Sequence, residues 1–338
     1  TLYLSSNLYF KSKYRLNFKS ISLIGELNFH HLINHLKLGE FGYSQSPSFI
    51  NPSVGLDWRI NEKNKLITTY SFNTTNAGVL DVHDNFILTG IRSFNKGTGN
   101  FNQFNASSVL LNYQHGGWSN QFLVNSSLLY SKNHDFFSSK SFVNQNFSLS
   151  EKILIKDREF VSFTTDIDQF VNLISSNLKL SVGFSKSNYK NIVNDNLRLV
   201  KSINYSYGLE ARSALPGFFN FHIGSEWTRN LVETSIRSSF TNNLSFVDLL
   251  FKIDSKSNIQ LQTERYFFGQ IGRSNTYYFI DLNWRYTVKE NKLTIVVNGN
   301  NLLDNRNFRT TAVSDISVLR TDYQLLPRSL LLTLEYRL

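Results

Sequence analysis

The densest chemistry in this 338-residue chain is a group of three histidines, His30, His31 and His35. On a helix, His31 and His35 would share one face at i, i+4, a spacing that zinc sites use. No acidic residue or third ligand follows at a telling distance, so the group reads as polar side chains of a solvent-facing loop. Lys96-Gly97-Thr98-Gly99-Asn100 has the glycines of a phosphate loop. It lacks both the strand–loop–helix setting and the Lys-Ser/Thr ending, and reads as a flexible loop. His83-Asp84 and His134-Asp135 set a base beside a carboxylate. Adjacent side chains of an extended chain point apart, so neither pair is a dyad. No nucleophile, base and orienting group can be assembled, and the sequence reads as non-enzymatic.

A second set of charges is more informative because of where it falls. Asp57, Arg59, Glu210, Arg212, His222, Glu226, Asp281, Arg285, Glu335 and Arg337 alternate with apolar residues along period-two runs. Val54, Leu56, Trp58 and Ile60, for example, interleave with Gly55, Asp57 and Arg59. A charge facing hydrocarbon at mid-membrane costs about 2–4 kcal/mol. These side chains are therefore expected to face a wet lumen. There they would form an ion-paired network that holds the wall or docks a plug, or they would line a polar substrate path.

The elements that carry them are strands. Over 329–338, Leu330, Leu332, Leu334, Tyr336 and Leu338 fall on one side, and Leu331, Thr333, Glu335 and Arg337 on the other. This suits the closing strand of an outer-membrane barrel. Short turns are expected near positions 12, 62, 117, 172, 215, 256 and 290. Longer polar segments separate them over 30–50, 74–106, 131–146, 230–242 and 301–327. Short turns at one end and long loops at the other are the barrel signature. Residues 147–170 must then form one long strand. Trp58, Trp118, Trp227 and Trp284, with Tyr70, Tyr130 and Tyr336, are expected near strand ends as interfacial anchors. The expected fold is all-β, a transmembrane antiparallel β-barrel of about 15 strands forming one domain over 1–338. Single-chain bacterial barrels have even counts and begin with an ascending strand, so this tally reads as the carboxyl-terminal part of a larger barrel.

Composition agrees. The chain is 41% hydrophobic, with 29 Phe and 16 Tyr but no Cys, and its mean hydropathy is −0.25. No run approaches the roughly 18 apolar residues of a spanning helix. The absence of cysteine removes disulfides and thiolate metal sites. The formal charge of +10 is scattered and interleaved with acids, which argues against nucleic acid and for contact with outer-membrane lipid and anionic lipopolysaccharide. No cofactor is indicated.

The carboxyl end carries more specific motifs. Val297-Asn298-Gly299-Asn300-Asn301-Leu302-Leu303-Asp304 and Tyr323-Gln324-Leu325-Leu326-Pro327-Arg328 stand before the terminal strand. They resemble the corresponding segments of TonB-dependent outer-membrane receptors. Phe184-Ser185-Lys186-Ser187-Asn188-Tyr189, and Tyr207-Gly208-Leu209-Glu210 with Arg212, look like such barrels from Bacteroidetes. The resemblance implies a 22-strand barrel around an amino-terminal plug, in the outer membrane of a Gram-negative bacterium. The partners it implies are the barrel-assembly machinery, TonB and a surface lipoprotein. Three features depart from the pattern. The last residue is Leu338 rather than Phe. No plug or TonB-contacting segment lies in the chain. Where glycan importers carry a characteristic acidic element, the residues are Arg306-Asn307-Phe308-Arg309, so polysaccharide import is not supported.

Overall fold

The computed structural model describes residues 2–38, 41–117, 121–270, 273–290, 292–316 and 318–337. Leu338, Trp118 and Asn291 lie outside them. The first strands are β1 (Leu2–Phe18), β2 (Ile21–Leu38), β3 (Phe41–Gln45), β4 (Ser48–Arg59) and β5 (Asn64–Asn76). A four-residue helix, α1 (Val79–Val82), then precedes β6 (Ile87–Gly90), β7 (Ser93–Lys96) and β8 (Gln103–His115). Four tall strands follow: β9 (Phe122–Val143), β10 (Ser148–Val171), β11 (Ser176–Val193) and β12 (Asn196–Ser213). The rest are β13 (Phe219–Glu233), β14 (Arg237–Lys252), β15 (Ser257–Gln270), β16 (Arg273–Lys289) and β17 (Leu293–Asn300), then β18 (Asn307–Val313), β19 (Val318–Gln324) and β20 (Ser329–Tyr336). Eighteen belong to one mainly antiparallel sheet, and β18 and β19 form a separate hairpin.

Fifteen of these strands run eight residues or more, in line with the tally from the sequence. Residues 147–170 do run as one strand, β10. Asp157, at φ 63°, distorts it without ending it. Other expectations need correction. The first turn lies at Lys19-Ser20, not near residue 12. Much of 30–50, 131–146 and 230–242 is strand rather than loop, because the backbone goes on pairing with neighbouring strands where the residues turn polar. Tyr70 sits in the middle of β5, away from any interfacial end. Segment 74–106 is a packed insert, since Leu36, Ala77, Val82 and Phe101 bury together there with Tyr3, Val79, Phe104 and Phe137 around them.

The chain divides into two compact units. One comprises residues 1–115, 126–163 and 185–202; the other comprises 116–125, 164–184 and 203–338. Within each, strand register decides which side chains share a face, because side chains alternate and opposite partners align. In the first unit, Leu16, Leu23, Leu56, Thr68 and Leu111 form one cross-strand row. The next row, on the other face, holds Asn17, Ser22, Asp57, Ile67 and Asn112. In the second unit, Phe219, Phe251, Ile259, Trp284, Val297 and Leu332 form an apolar row. His222, Asp248, Gln262 and Asp281 form a polar row on the opposite face.

Side chains of the apolar rows are open on their outer side: Leu16 is 60% exposed and Leu332 63%. A sheet with one solvated polar face and one bare apolar face is made for hydrocarbon. The fold is thus all-β, of the transmembrane barrel-wall type, and such walls sit in the outer membrane.

Candidate functional site

The polar face of each unit carries the charges singled out from the sequence. In the first unit, Asp57 lies between Lys65 Nζ at 3.3 Å and Arg15 Nη2 at 3.8 Å. Arg59 stands opposite Lys65 on the same face. Glu26, one strand away, holds Lys11 at 2.7 Å. Lys11, Lys13, Arg15, Glu26 and Lys65 extend the network and were not singled out from sequence alone. They become visible only once β1 is known to run to Phe18.

In the second unit, His222 sits between two carboxylates. Its Nε2 is 3.4 Å from Glu210 Oε2 and its Nδ1 is 3.9 Å from Asp248 Oδ2. Phe246 packs edge-on against the imidazole with centroids 4.7 Å apart. Gly224 makes room for that ring, since an added Cβ would stand 2.7 Å from it. Glu226 and His222 are both in register with this face of β14. Asp281 accepts a 2.6 Å hydrogen bond from the Asn301 N–H, at the start of the long segment before β18. Arg285 donates to Glu335 at 2.8 Å. Arg285, Glu335 and Arg337 line a polar cavity of about 370 Å³ near the short-turn end, with Lys292 and Glu290. Ion pairs and hydrogen bonds thus absorb many of these charges, and the arrangement offers a hydrated, charged surface.

A feature missed in the sequence lies over that surface. The β18–β19 hairpin inserts Phe308 among Tyr266, Phe268, Tyr277 and Phe279, at ring-centroid distances of 5.5, 5.5, 5.0 and 6.0 Å. Tyr266 and Tyr277 are cross-strand partners on the same face as Asp281. Tyr277 also anchors the hairpin backbone: its hydroxyl accepts the Arg309 N–H at 3.0 Å. The signal was present as an alternation of Tyr266 and Phe268 on the polar side of β15, where aromatics are unusual. The base of the hairpin is tied by Asp304, which accepts from the Arg328 N–H at 3.0 Å and from the Arg306 guanidinium. These donors, the Arg328 N–H foremost, hold the Asp304 carboxyl below the ordinary aspartate range. Across the hairpin, the Arg309 guanidinium does the same to Asp322.

The other sequence candidates disperse. His30, His31 and His35 lie on β2, not in a loop. Four residues of strand set His31 and His35 about 13 Å apart, too far to share an ion. His30 points to the opposite face, stacked between Tyr9 and Phe49. No metal-holding group occurs among the described residues. Residues 96–100 pack back on α1: Gly97 N–H donates to His83 O and Thr98 N–H to Asp81 O. His134 bonds Ser107 at 3.0 Å, and His83 lies 3.1 Å from the Asn85 carbonyl.

No protein-family model and no curated protein matches the chain. Solved structures resemble it at low identity. The ferric-catecholate import receptor Fiu from E. coli K12, closed form, aligns at 9% identity and TM-score 0.45, covering 95% of this chain and 59% of that one. BauA, the ferric preacinetobactin receptor of Acinetobacter baumannii, aligns at 8% and 0.44, covering 95% and 57%. P. aeruginosa FpvA, in complex with a heterologous pyoverdine and iron, aligns at 11% and 0.43, covering 95% and 51%. The chain thus spans between half and three-fifths of the length of these receptors.

Proposed function

We propose that this chain is the carboxyl-terminal barrel portion of a TonB-dependent outer-membrane receptor of the Bacteroidetes kind. It takes up a scarce ligand through a plug-gated lumen of 22 strands. The observation that carries the reading is the β18–β19 hairpin seated by Phe308 on the charged face of the wall. A hairpin packed onto the hydrated side of a wall narrows the entrance and places loop side chains where a ligand would pass. The terminal motifs around Leu302-Leu303-Asp304 and Pro327-Arg328 support the same reading, since Asp304 joins them by its bond to the Arg328 N–H.

A second reading, a scaffold that docks a surface lipoprotein without transport, has its own support. The β6–β7 hairpin of the packed insert exposes Leu88 at 60% and Ile91 at 98%. Apolar tips of that kind suit a protein partner.

The test is the intact mass and amino-terminal sequence of the protein extracted from outer membranes, followed by binding to the periplasmic domain of TonB. A mass well above 39.1 kDa, upstream plug residues and a TonB complex support the receptor. A mass equal to this chain's, with no TonB binding, leaves the scaffold.

A further inference from the structure

The first unit holds a second cavity, of about 450 Å³, which the receptor reading does not use. Its lining combines two cations, Lys152 and Arg158, with the rings of Phe136, Phe137 and Tyr189 and the hydroxyl-bearing Ser139. The two cations differ in state. Lys152 is committed, since its ammonium donates to Asp81 and lies 5.7 Å from the Phe137 centroid. Arg158 has no carboxylate partner among the described residues. Its guanidinium lies 5.7 Å from the Phe136 centroid, and its Nε–H is enclosed without an acceptor. Tyr189 meets Phe136 edge-on at 90° with centroids 6.4 Å apart, fixing the ring on which Arg158 rests.

The Arg158 side chain lines the cavity without a carboxylate partner among the described residues, and its planar fork fits the paired oxygens of an oxyanion. Aromatic walls beside it suit the apolar face of a ring attached to that oxyanion. We propose that this cavity is a binding site for a phosphate carried on a ring with an apolar face, with Arg158 as the anion-binding residue and Phe136 and Phe137 as the walls on which that ring packs. Two sources offer that chemistry, a soluble ring phosphate and the phosphorylated sugar headgroup of outer-leaflet lipopolysaccharide.

The experiment uses the full-length protein in detergent. Phenyl phosphate is titrated by calorimetry, with inorganic phosphate and phenol as partial probes, and lipid A in mixed micelles forms the second arm. Binding of phenyl phosphate or lipid A is expected to weaken about tenfold or more in Arg158→Gln, and less in Arg158→Lys, which keeps the charge but loses the fork. Phenyl phosphate should bind more tightly than either partial probe. Preference for lipid A would assign the site to lipid, and preference for phenyl phosphate would assign it to a soluble ligand. In case a variant fails to fold, the wild type is also treated with phenylglyoxal and mapped by mass spectrometry. Bound ring phosphate should protect Arg158 selectively. Absence of binding in both arms, binding indifferent to Arg158, or no protection of Arg158 would overturn the proposal.

Discussion

Arg285 Nη2 lies 2.8 Å from Glu335 Oε2, joining β16 to β20 across the intervening β17. Both side chains are nearly half exposed, so water screens the pair. An exposed ion pair contributes at most about 1 kcal/mol. Glu335→Gln should therefore fold normally and lose no more than that in urea unfolding from vesicles. Its neighbour behaves differently. Leu334 stands on the apolar face beside Ile295, and Leu334→Arg should cost up to about 2–4 kcal/mol, the figure for a charge facing lipid. Thr333→Arg, on the polar face, should be tolerated. Equal damage from both arginines would show the faces to be wrongly assigned.

Phe308 is half-buried among four rings of the wall. Phe308→Ala should release the hairpin while leaving the wall strands paired, at roughly 1–2 kcal/mol, below the usual 3–5 for a fully buried ring. Limited trypsin digestion reads the change. Cleavage after Arg309 and Arg320 should accelerate in the variant, with cleavage elsewhere unchanged.

Acid should loosen the same hairpin. Asp304 and Asp322 are both held below the ordinary aspartate value of 3.8 by their hydrogen-bonded partners. A carboxyl with a depressed folded pKa contributes stability that is present above the unfolded value and lost as pH falls through the folded one. Hydrogen exchange over 307–324, corrected for intrinsic rate, should be flat from neutral pH down to about 4 and lose protection below 3.8. Asp304→Asn should show part of that loss already at neutral pH.

Gly97 is where the packed insert meets α1. A Cβ there would clash with the Asp81 carbonyl oxygen and stand 2.7 Å from that of His83, and backbone gives way poorly. Gly97→Ala should destabilise the insert by about 1–3 kcal/mol, as overpacking does. Exchange of the 77–102 amides should rise while that of β13–β16 stays fixed. Unchanged exchange in the insert would mean that residues 96–100 form the flexible loop their composition suggests.

Period-two alternation made the wall legible in the sequence, because a one-residue slip would put Asp57 or Arg285 into lipid. It also located the final strand residue by residue as far as Tyr336. Alternation could not say where strands stop. His30 and Ser238 lie on strands whose backbone goes on pairing where the residues turn polar, and polar composition there reads as loop. The site was only half legible for a related reason. Charges on strands declare their face, but pairing between Glu210, His222 and Asp248 depends on register across β12 to β14, which pattern alone does not set. The Phe308 contacts join β18 to β15 and β16 over some 30–40 positions. Tyr266 and Phe268 on the polar side of β15 signal that something covers them, but nothing local names Phe308.

The most direct measurement exploits the absence of cysteine. Single cysteines placed at each position from Ile280 to Tyr286 would be spin-labelled in vesicles and probed with oxygen and a water-soluble nickel chelate. Oxygen access should peak at residues 280, 282, 284 and 286, and chelate access at 281, 283 and 285. Uniform access along the strand, or the opposite phase, would contradict a wall with lipid on its apolar face and water on its charged one.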